Sequence, residues 1–367
     1  MKKLTLHNLD DLAIGSAILG SGGGGDSTYS YMMTRYEMEK RSSLNLISYS
    51  DLKPNDLIIP IGFMGAPTVE IEKMITGREF IKIFEIIEKT LDKKITAIMP
   101  FEIGGSNAFT PIITGLQMGL PVLDADMMGR AFSQTQMSSA HLHGISPCPG
   151  FINDCLDNTV VIHAKQTETL EKIGRHVTIA VGSSSAFAFY PINGTIAKQC
   201  TVPKSISRAI NIGKTHRLAK ENGEDPLNSI LESCKGVLIG YGTITDIDRE
   251  ISKGFLQGSI KIQNHKDKFE LVFQNEYLIA KSNGKIVATT PDILMLLEQE
   301  TGTPITSEWL QYGLKVNLIA LPAPDIWTSP EGLALVGPRQ FGYEADYKPI
   351  QKSRSKNTIL SINHESK

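Results

Sequence analysis

Three acidic residues that follow apolar stretches carry the clearest chemistry in this sequence. Glu102 ends the stretch ITAIMPFE (95–102), while Asp124 and Asp126 end LPVLDAD (120–126). In open α/β sheets, ligands bind beyond the carboxyl ends of the strands. If the two strands are neighbours, the carboxylates crowd together, the pKa of one is raised, and that group can act as a general acid or base. We therefore predict Glu102, Asp124 and Asp126 as catalytic residues.

A run of four glycines offers a different kind of group. SGGGGD (21–26) lies between two segments with helical patterns. Glycine lets a backbone approach a ligand closely, and the N–H groups at a helix start favour anions and polarised oxygens. A Walker A motif is excluded because no Gly-Lys-Ser/Thr follows, and the dinucleotide fingerprint fits poorly because a helix precedes the run. The alternative is a structural turn in which Asp26 caps the next helix. The predicted substrate-binding residues of this run are Gly22, Gly23, Gly24, Gly25 and Asp26.

Two further segments extend the predicted binding wall. FEIGGSN (101–107) places two glycines and a candidate helix cap directly after Glu102, and LDADMMGR (123–130) places an arginine after the aspartates. That arginine could hold ring oxygens or a side-chain carboxylate of a ligand. Alternatively it pairs with Asp124 while Asp126 caps a helix, since structural ion pairs are common. The predicted substrate-binding residues here are Gly104, Gly105, Ser106, Asn107 and Arg130.

The sequence leaves a divalent metal open as a cofactor. A metal held by the carboxylates would lower the pKa of a bound water and relieve their mutual repulsion. HLHGISPCPGFINDC (141–155) contains histidine and cysteine, but its spacing fits no standard zinc site. Asp and Glu ligands are therefore the preferred form of this hypothesis.

Hydrophobic patterns predict the elements that position these residues. EFIKIFEIIEKTLD (79–92) has apolar residues at helical spacing, and DLIIPIGFMG (56–65) is a continuous apolar run, typical of a buried strand. The order strand, helix, strand predicts a mostly parallel sheet covered by helices. The predicted helices cover 7–19, 27–40, 79–92, 106–119, 203–222 and 226–234, and the predicted strands of the first part cover 44–50, 56–65, 95–102 and 120–126.

The character of the chain changes after about residue 165. Short strands separated by turn signals follow, among them 235–248, 258–264, 268–281 and 285–290. The predicted fold class is thus α/β, with an N-terminal α/β domain and a β-rich C-terminal domain. The predicted boundaries are 1–165 and 166–350, with a polar tail at 351–367.

Composition narrows the class of protein. The chain has 367 residues and a net charge of −2, which gives no basic field for a nucleic acid. No apolar run reaches the roughly 18–20 residues of a membrane span, and the N-terminus does not have the pattern of a signal peptide. The four cysteines form no CxxC pair. We expect a cytoplasmic protein with reduced thiols that acts on a small molecule.

In combination, several motifs resemble one protein family. LGSGGGGD, FEIGGSNA, PVLDADMMGRAF and LPAPDIWTSPEGLALVGPRQFGYEADY occur in this order over about residues 8–350, and the chain is similar to the S-methyl-thiohydantoin desulfurase-like proteins, which are often encoded beside hydantoinase genes. The resemblance implies an N-terminal α/β domain, a distinct C-terminal domain and, for the named member, removal of sulfur from a thiohydantoin ring. It also implies an acidic residue followed by proline after the GRAF segment, where this chain has Ser133-Gln134.

Three hypotheses about function follow, the third of which is a nucleotide-dependent enzyme that uses the glycine run. The first is a hydrolase that adds water to a ring carbon of a small cyclic imide or thiohydantoin, breaking a C–N or C–S bond. The second is a non-catalytic protein that binds a metabolite or assembles with a hydantoinase-type enzyme. A homo-oligomer is also expected as an alternative assembly.

Overall fold

The structure is a computed structural model and describes residues 2–65, 69, 78–252 and 255–350. Within these residues the predicted fold class is confirmed: an N-terminal α/β region is followed by an antiparallel, β-rich region. The predicted tail, 351–367, lies outside the described residues.

The six predicted helices are present to within a few residues, except near Pro111. There the predicted helix 106–119 divides into a 3₁₀ turn, Gly105–Ala108, and an α-helix that carries the proline in its first turn. Further α-helices in the described residues were not predicted: Ser139–Leu142, Thr167–Ala180, Gly194–Cys200 and Pro330–Val336. No helix in the described ranges combines the length and apolar character that a membrane crossing requires. The α-helices described are α1 Leu9–Leu19, α2 Ser27–Arg41, α3 Glu79–Leu91, α4 Thr110–Met118, α5 Ser139–Leu142, α6 Thr167–Ala180, α7 Gly194–Cys200, α8 Ser205–Glu221, α9 Pro226–Cys234 and α10 Pro330–Val336.

The strands of the N-terminal region form a mixed sheet with a parallel centre. Its order is β1-β2-β5-β4-β3-β9-β7-β8, and β10 pairs with β3. The pairs β2–β5, β5–β4 and β4–β3 are parallel, whereas the outer pairs are antiparallel. The bounds are β1 Lys2–Leu4, β2 Leu44–Ile47, β3 Leu57–Gly65, β4 Ala97–Pro100, β5 Val122–Leu123, β6 Ala125–Asp126, β7 Gly150–Asn153, β8 Thr159–Ile162, β9 Ser184–Ala188, β10 Ile192–Asn193 and β11 Val202–Pro203.

The C-terminal region is one antiparallel sheet in the order β16-β15-β14-β13-β12-β19-β17-β18. The segment predicted as one strand, 268–281, is a hairpin in the structure. The chain turns at Asn275, whose φ of 58° lies in the left-handed region that asparagine tolerates. The bounds are β12 Val237–Ser252, β13 Phe255–Gln263, β14 Lys268–Gln274, β15 Glu276–Ser282, β16 Lys285–Thr289, β17 Ile293–Glu298, β18 Pro304–Ile305 and β19 Lys315–Leu321.

One detail differs from the sequence prediction in a way that affects the site. The strand predicted at 120–126 is broken at Asp124: β5 belongs to the N-terminal sheet, while β6 pairs with β11 in a separate two-stranded sheet. The boundary at 165/166 stays a prediction, and the N-terminal sheet extends beyond it because β9 pairs with both β3 and β7.

Helices α1 and α8 cross at two glycines, and this crossing fixes the start of the glycine run that follows α1. A methyl group at Gly15 would lie 1.8 Å from the carbonyl oxygen of Ala209, and one at Gly213 would lie 1.8 Å from that of Asp11. Only a residue without a side chain permits this approach. The guanidinium of Arg217 closes the same contact by donating to Asp11 at 2.8 and 3.1 Å.

We expect Gly213→Ala to lower the free energy of unfolding by about 1–3 kcal/mol, because the added methyl would clash with backbone that cannot rotate away. Denaturant unfolding measures the change. Gly174→Ala in α6 is the matched control, since a methyl there meets only side-chain atoms, the nearest at 3.2 Å. Equal losses for the two variants would contradict the tight crossing.

Candidate active site

A cleft lies where the carboxyl ends of β3 and β4 meet the turn between β14 and β15 of the C-terminal sheet. Its empty space, including the part open to solvent, is about 540 Å³. One part is apolar and the rest is polar. The lining residues are Gly24, Gly25, Phe63, Met64, Gly65, Phe101, Glu102, Asn107, Met128, Phe132, Ser133, Gln134, Thr135, Arg175, Phe187, Asn275 and Glu276.

Glu102, predicted from the end of its strand, lies in this cleft and is nearly buried. Its Oε1 accepts a hydrogen bond from Nδ2 of Asn107 at 2.8 Å, and its Oε2 accepts one from the backbone N–H of Phe132 at 3.2 Å. Asn107 is itself fixed, because its Oδ1 accepts from the N–H of Phe63 at 2.8 Å. The carboxyl group of Glu102 is thus held in one orientation by two neutral donors.

A second carboxylate comes from the C-terminal region and was missed by the sequence analysis. Glu276 is buried, follows the turn at Asn275 and lines the cleft with Glu102. Its Oε2 has no hydrogen-bond partner among the described residues. The signal that could have found it is the dipeptide Gln274-Asn275, a polar interruption with a turn-forming asparagine inside an otherwise apolar strand pattern.

Arg130 is completely buried beside these acids and links the two regions of the chain. Its Nη1 donates to the carbonyl oxygens of Pro291 and Asp292, at 2.7 and 2.8 Å, and its Nε donates to that of Ala131 at 2.9 Å. Nη2 has no partner among the described residues. Arg130 does not line the cleft, so it acts on the site through its charge; the alternative pairing with Asp124 is absent.

Burial shifts the pKa values of this cluster toward the neutral forms. Burial raises the pKa of Glu102 to about 7, opposed by its hydrogen bonds with Asn107 and Phe132. Burial and, next, the negative charge of Glu102 raise the pKa of Glu276 to about 8, opposed by Arg130. Burial lowers the pKa of Arg130 to about 10. The two glutamates therefore titrate near neutral pH, and Glu276 holds its proton more strongly than Glu102.

The glycine run packs against both regions and exposes part of its backbone to the cleft. The carbonyl oxygen of Gly24 accepts from the N–H and the hydroxyl of Ser106, at 2.8 and 3.0 Å. A methyl group at Gly23 would lie 2.3 Å from Oε1 of Glu276. The N–H groups of Gly24 and Gly25 make no hydrogen bond within the described part of the chain, and both glycines line the cleft.

The remaining glycines of the predicted wall are buried packing positions. A methyl group at Gly22 would lie 2.5 Å from the ring of Tyr277, and one at Gly104 would lie 2.6 Å from the side chain of Ala131. Gly105 has a φ of 55° and would clash with the backbone of Gly24. These glycines shape the cleft from behind and do not line it.

Asp126 is fully buried behind the cleft. Its Oδ2 accepts from the N–H groups of Ile103 and Gly129, at 2.9 and 2.8 Å, which ties together the loops that carry Glu102 and Arg130. Burial raises its pKa to about 7. Asp126 therefore holds the backbone on either side of the site in place and does not itself line the cleft.

The other two predicted acids are engaged elsewhere. Asp124 accepts from the N–H and the hydroxyl of Ser207, at 2.9 and 2.6 Å, and so caps the start of α8. Asp26 caps α2 through the N–H of Thr28 at 2.8 Å and also accepts from Nε1 of Trp309 at 3.0 Å. Neither side chain lines the cleft. Asp26 therefore caps a helix, as the structural alternative for the glycine run stated. The position of Asp124 gives no support to a catalytic role.

No three His, Cys, Asp or Glu side chains among the described residues are arranged to hold a metal ion. Within the HLHGISPCPGFINDC segment, Nδ1 of His141 contacts the hydroxyl of Thr167, Nδ1 of His143 contacts the carbonyl oxygen of Ser139, and Sγ of Cys148 donates to that of Ala164. The divalent metal stays a prediction without a ligand set in the described residues.

Comparison with known proteins identifies the family. The N-terminal domain model of the S-Me-THD-like proteins matches residues 7–164, and their C-terminal domain model matches residues 165–350. The chain belongs to the S-Me-THD-like family, as its motifs predicted. Among curated proteins, none is similar enough to count as a match.

A solved structure has the same fold. The crystal structure of a protein from Chromobacterium violaceum, a structural genomics target, superposes with a TM-score of 0.80 at 19% sequence identity. The match covers 96% of this chain and 100% of that chain. At this identity the likeness establishes the fold alone.

The raised pKa of Glu276 predicts a specific pH dependence of stability. The neutral form is favoured in the folded state, so this contribution is complete below the ordinary pKa of 4.5 and is lost as the pH rises through about 8. Glu276→Gln is a neutral isostere without this titration. Between pH 5 and 8 its stability should therefore rise relative to wild type. Thermal unfolding at a series of pH values tests this, with the surface variant Glu344→Gln as control. Parallel curves for wild type and Glu276→Gln would contradict the shift.

The contact between Gly23 and Glu276 predicts a coupling between these residues. Gly23→Ala should lower the free energy of unfolding by about 1–3 kcal/mol, because the methyl displaces the buried carboxyl group. In a Glu276→Ala background the same change should cost less by at least about 1 kcal/mol. Denaturant unfolding of the four proteins gives the coupling energy. Additive effects would show that the two residues do not share this space.

Proposed function

We propose that the chain is a hydrolase that adds water to a ring carbon of a small thiohydantoin-like or cyclic imide metabolite. One observation supports this most: two buried glutamates, with pKa values raised to about 7 and about 8, face one cleft beside a buried arginine. A pair of this kind contains a carboxylate and a carboxylic acid at neutral pH, which are the two partners of general base and general acid catalysis. Membership of the S-Me-THD-like family supports the substrate class.

The proposed reaction begins with a water molecule beside the carboxylate of the pair. The carboxylate takes a proton from the water. The oxygen of that water attacks the ring carbon that is bonded to sulfur and nitrogen. The negative charge moves onto a ring nitrogen or an exocyclic atom, where the N–H groups of Gly24 and Gly25, two residues of the cleft lining, can donate to it. The protonated partner then gives its proton to the leaving sulfur or nitrogen as the C–S or C–N bond breaks. The proton taken from water replaces it, so the pair returns to one shared proton.

Arg130 and Asp126 support this cycle without touching the substrate. The positive charge of Arg130 opposes the rise of the glutamate pKa values, so the pair loses one proton near neutral pH rather than remaining doubly protonated. Asp126 fixes the backbone on either side of the cluster. The apolar lining, including Phe101, Phe132 and Phe187, gives the ring a surface from which water is partly excluded.

We expect Glu102→Gln and Glu276→Gln each to lower turnover of thiohydantoins by at least about 100-fold, because each removes one partner of the proton exchange. The assay incubates purified protein with 2-thiohydantoin, its S-methyl derivative and hydantoin, and follows release of sulfide or thiol and ring opening by mass spectrometry. Variants must retain the circular dichroism spectrum of wild type.

Two control variants separate this site from other acids. Glu308→Gln changes another acid of the C-terminal region whose pKa burial raises to about 7 but which does not line the cleft. Asp124→Asn tests the catalytic role predicted for that residue. Both should retain turnover within about 3-fold. Loss of turnover in Asp124→Asn together with full activity in Glu276→Gln would overturn the proposed pair. Thermal stabilisation by these compounds without any turnover would favour the metabolite-binding hypothesis.

A further inference from the structure

Arg175 stands at the mouth of the cleft and has no role in the proposed proton exchange. It projects from α6, lines the cleft, and its side chain is 13% exposed. Arg130, predicted from its motif to bind ligand oxygens, is buried and does not line the cleft. Arg175 is the arginine that the fold presents to a ligand.

The guanidinium of Arg175 is held rigidly from three directions. Its Nε donates to Oε1 of Glu171 at 2.7 Å, and its Nη2 donates to the carbonyl oxygen of Ser133 at 3.0 Å. Its Cζ lies 4.3 Å from the centre of the Phe255 ring, a cation–π contact with the C-terminal sheet. Nη1 makes no hydrogen bond to any described residue. Two N–H donors on a fixed group are therefore left for a ligand.

The same loop connects this donor to the catalytic pair. Phe132 donates its N–H to Glu102, and the next residue, Ser133, accepts from Arg175. The backbone from the N–H of Phe132 to the carbonyl of Ser133 spans at most about 7 Å. Thr135 then anchors the loop to the second oxygen of Glu171 through its N–H and hydroxyl, at 3.2 and 2.7 Å. The separation of Glu102 and Arg175 is therefore at most this backbone span plus one hydrogen bond at each end, so both can contact one small ligand in the cleft.

We propose that Arg175 is a specificity residue that binds an oxygen acceptor, a carboxylate or an amide carbonyl, on the substituent of the substrate ring. This inference rests on the proposed function, because the ring is placed by the site of that reaction. Glu171 orients the guanidinium in advance, so little side-chain entropy is lost when a ligand binds. Arginine presents its donors in a fixed plane, which suits such an oxygen better than an apolar group.

Three 2-thiohydantoins with substituents of nearly equal size at C5 test the proposal: carboxymethyl, carbamoylmethyl and isobutyl. For wild type we expect kcat/KM to be at least 10-fold higher for the first two than for isobutyl. Arg175→Met should remove this preference by raising KM for the two polar compounds at least 10-fold, while kcat/KM for isobutyl changes less than 3-fold. Arg35→Met is the matched control, because Arg35 pairs with Glu39 one turn away on α2, outside the cleft, and it should leave the preference unchanged.

A second variant tests the orientation by Glu171. Glu171→Gln keeps an oxygen acceptor for Arg175 but removes the balancing charge, so preference should move toward carboxymethyl over carbamoylmethyl. Equal kcat/KM for all three compounds in wild type, or an equal loss for all three in Arg175→Met, would overturn the proposal. If wild type turns over none of them, the proposed reaction is wrong; calorimetric binding of the same compounds then still decides the role of Arg175, which requires tighter binding of the polar pair.

Discussion

The burial of Arg130 is the constraint on which the arrangement of this protein depends. A buried guanidinium is unfavourable unless its N–H groups are satisfied and its charge is balanced. The N-terminal region supplies one carbonyl acceptor, from Ala131, whereas Pro291 and Asp292 of the C-terminal region supply the other two. The acids that balance its charge come from both regions as well. The two regions must therefore pack together for this charge to be accommodated, and the cleft forms at that junction.

Three of the four glycines are each required by a different neighbour within this junction. Gly22 leaves room for the ring of Tyr277, Gly23 for the carboxyl group of Glu276, and Gly24 for the backbone at Gly104. The preceding residue, Ser21, continues the contact: its carbonyl oxygen accepts from the N–H of Tyr277 at 2.6 Å, and its hydroxyl donates to the carbonyl of Leu294 at 2.9 Å. The glycine run is therefore the part of the N-terminal region that packs against the start of β15, where Glu276 lies.

Part of this site could be predicted from sequence because it follows from local rules. A carboxylate at the end of an apolar strand, such as Glu102, and a glycine run before a helix are visible without a structure. The different structural roles of Asp124 and Asp126 could not be seen in the sequence. Residues two apart face the same side of a regular strand, but the strand breaks at Asp124, and the partner of that residue, Ser207, is distant in sequence.

Glu276 and Arg175 escaped prediction for a different reason. Each lies inside a segment with an ordinary local pattern: Glu276 follows a turn in a β-hairpin, and Arg175 forms an i, i+4 pair with Glu171 that resembles many surface pairs on helices. Their chemistry arises from burial and from neighbours on other elements. Strand order and the packing of α6 decide those neighbours, and neither can be obtained from a single sequence.

The distance in sequence between Arg130 and its acceptors in the C-terminal region has a consequence for the nascent chain during synthesis. Pro291 follows Arg130 by 161 positions, so at about 5–20 residues per second the arginine is synthesised roughly 8–30 s before two of its three carbonyl partners exist. During that interval the nascent N-terminal region has a charge that it cannot bury. The surface of that region that will pack against the β14–β15 hairpin stays exposed to solvent. The N-terminal half, expressed by itself, would emerge with this surface permanently uncovered, which makes the intact polypeptide the smallest unit that can complete the cleft.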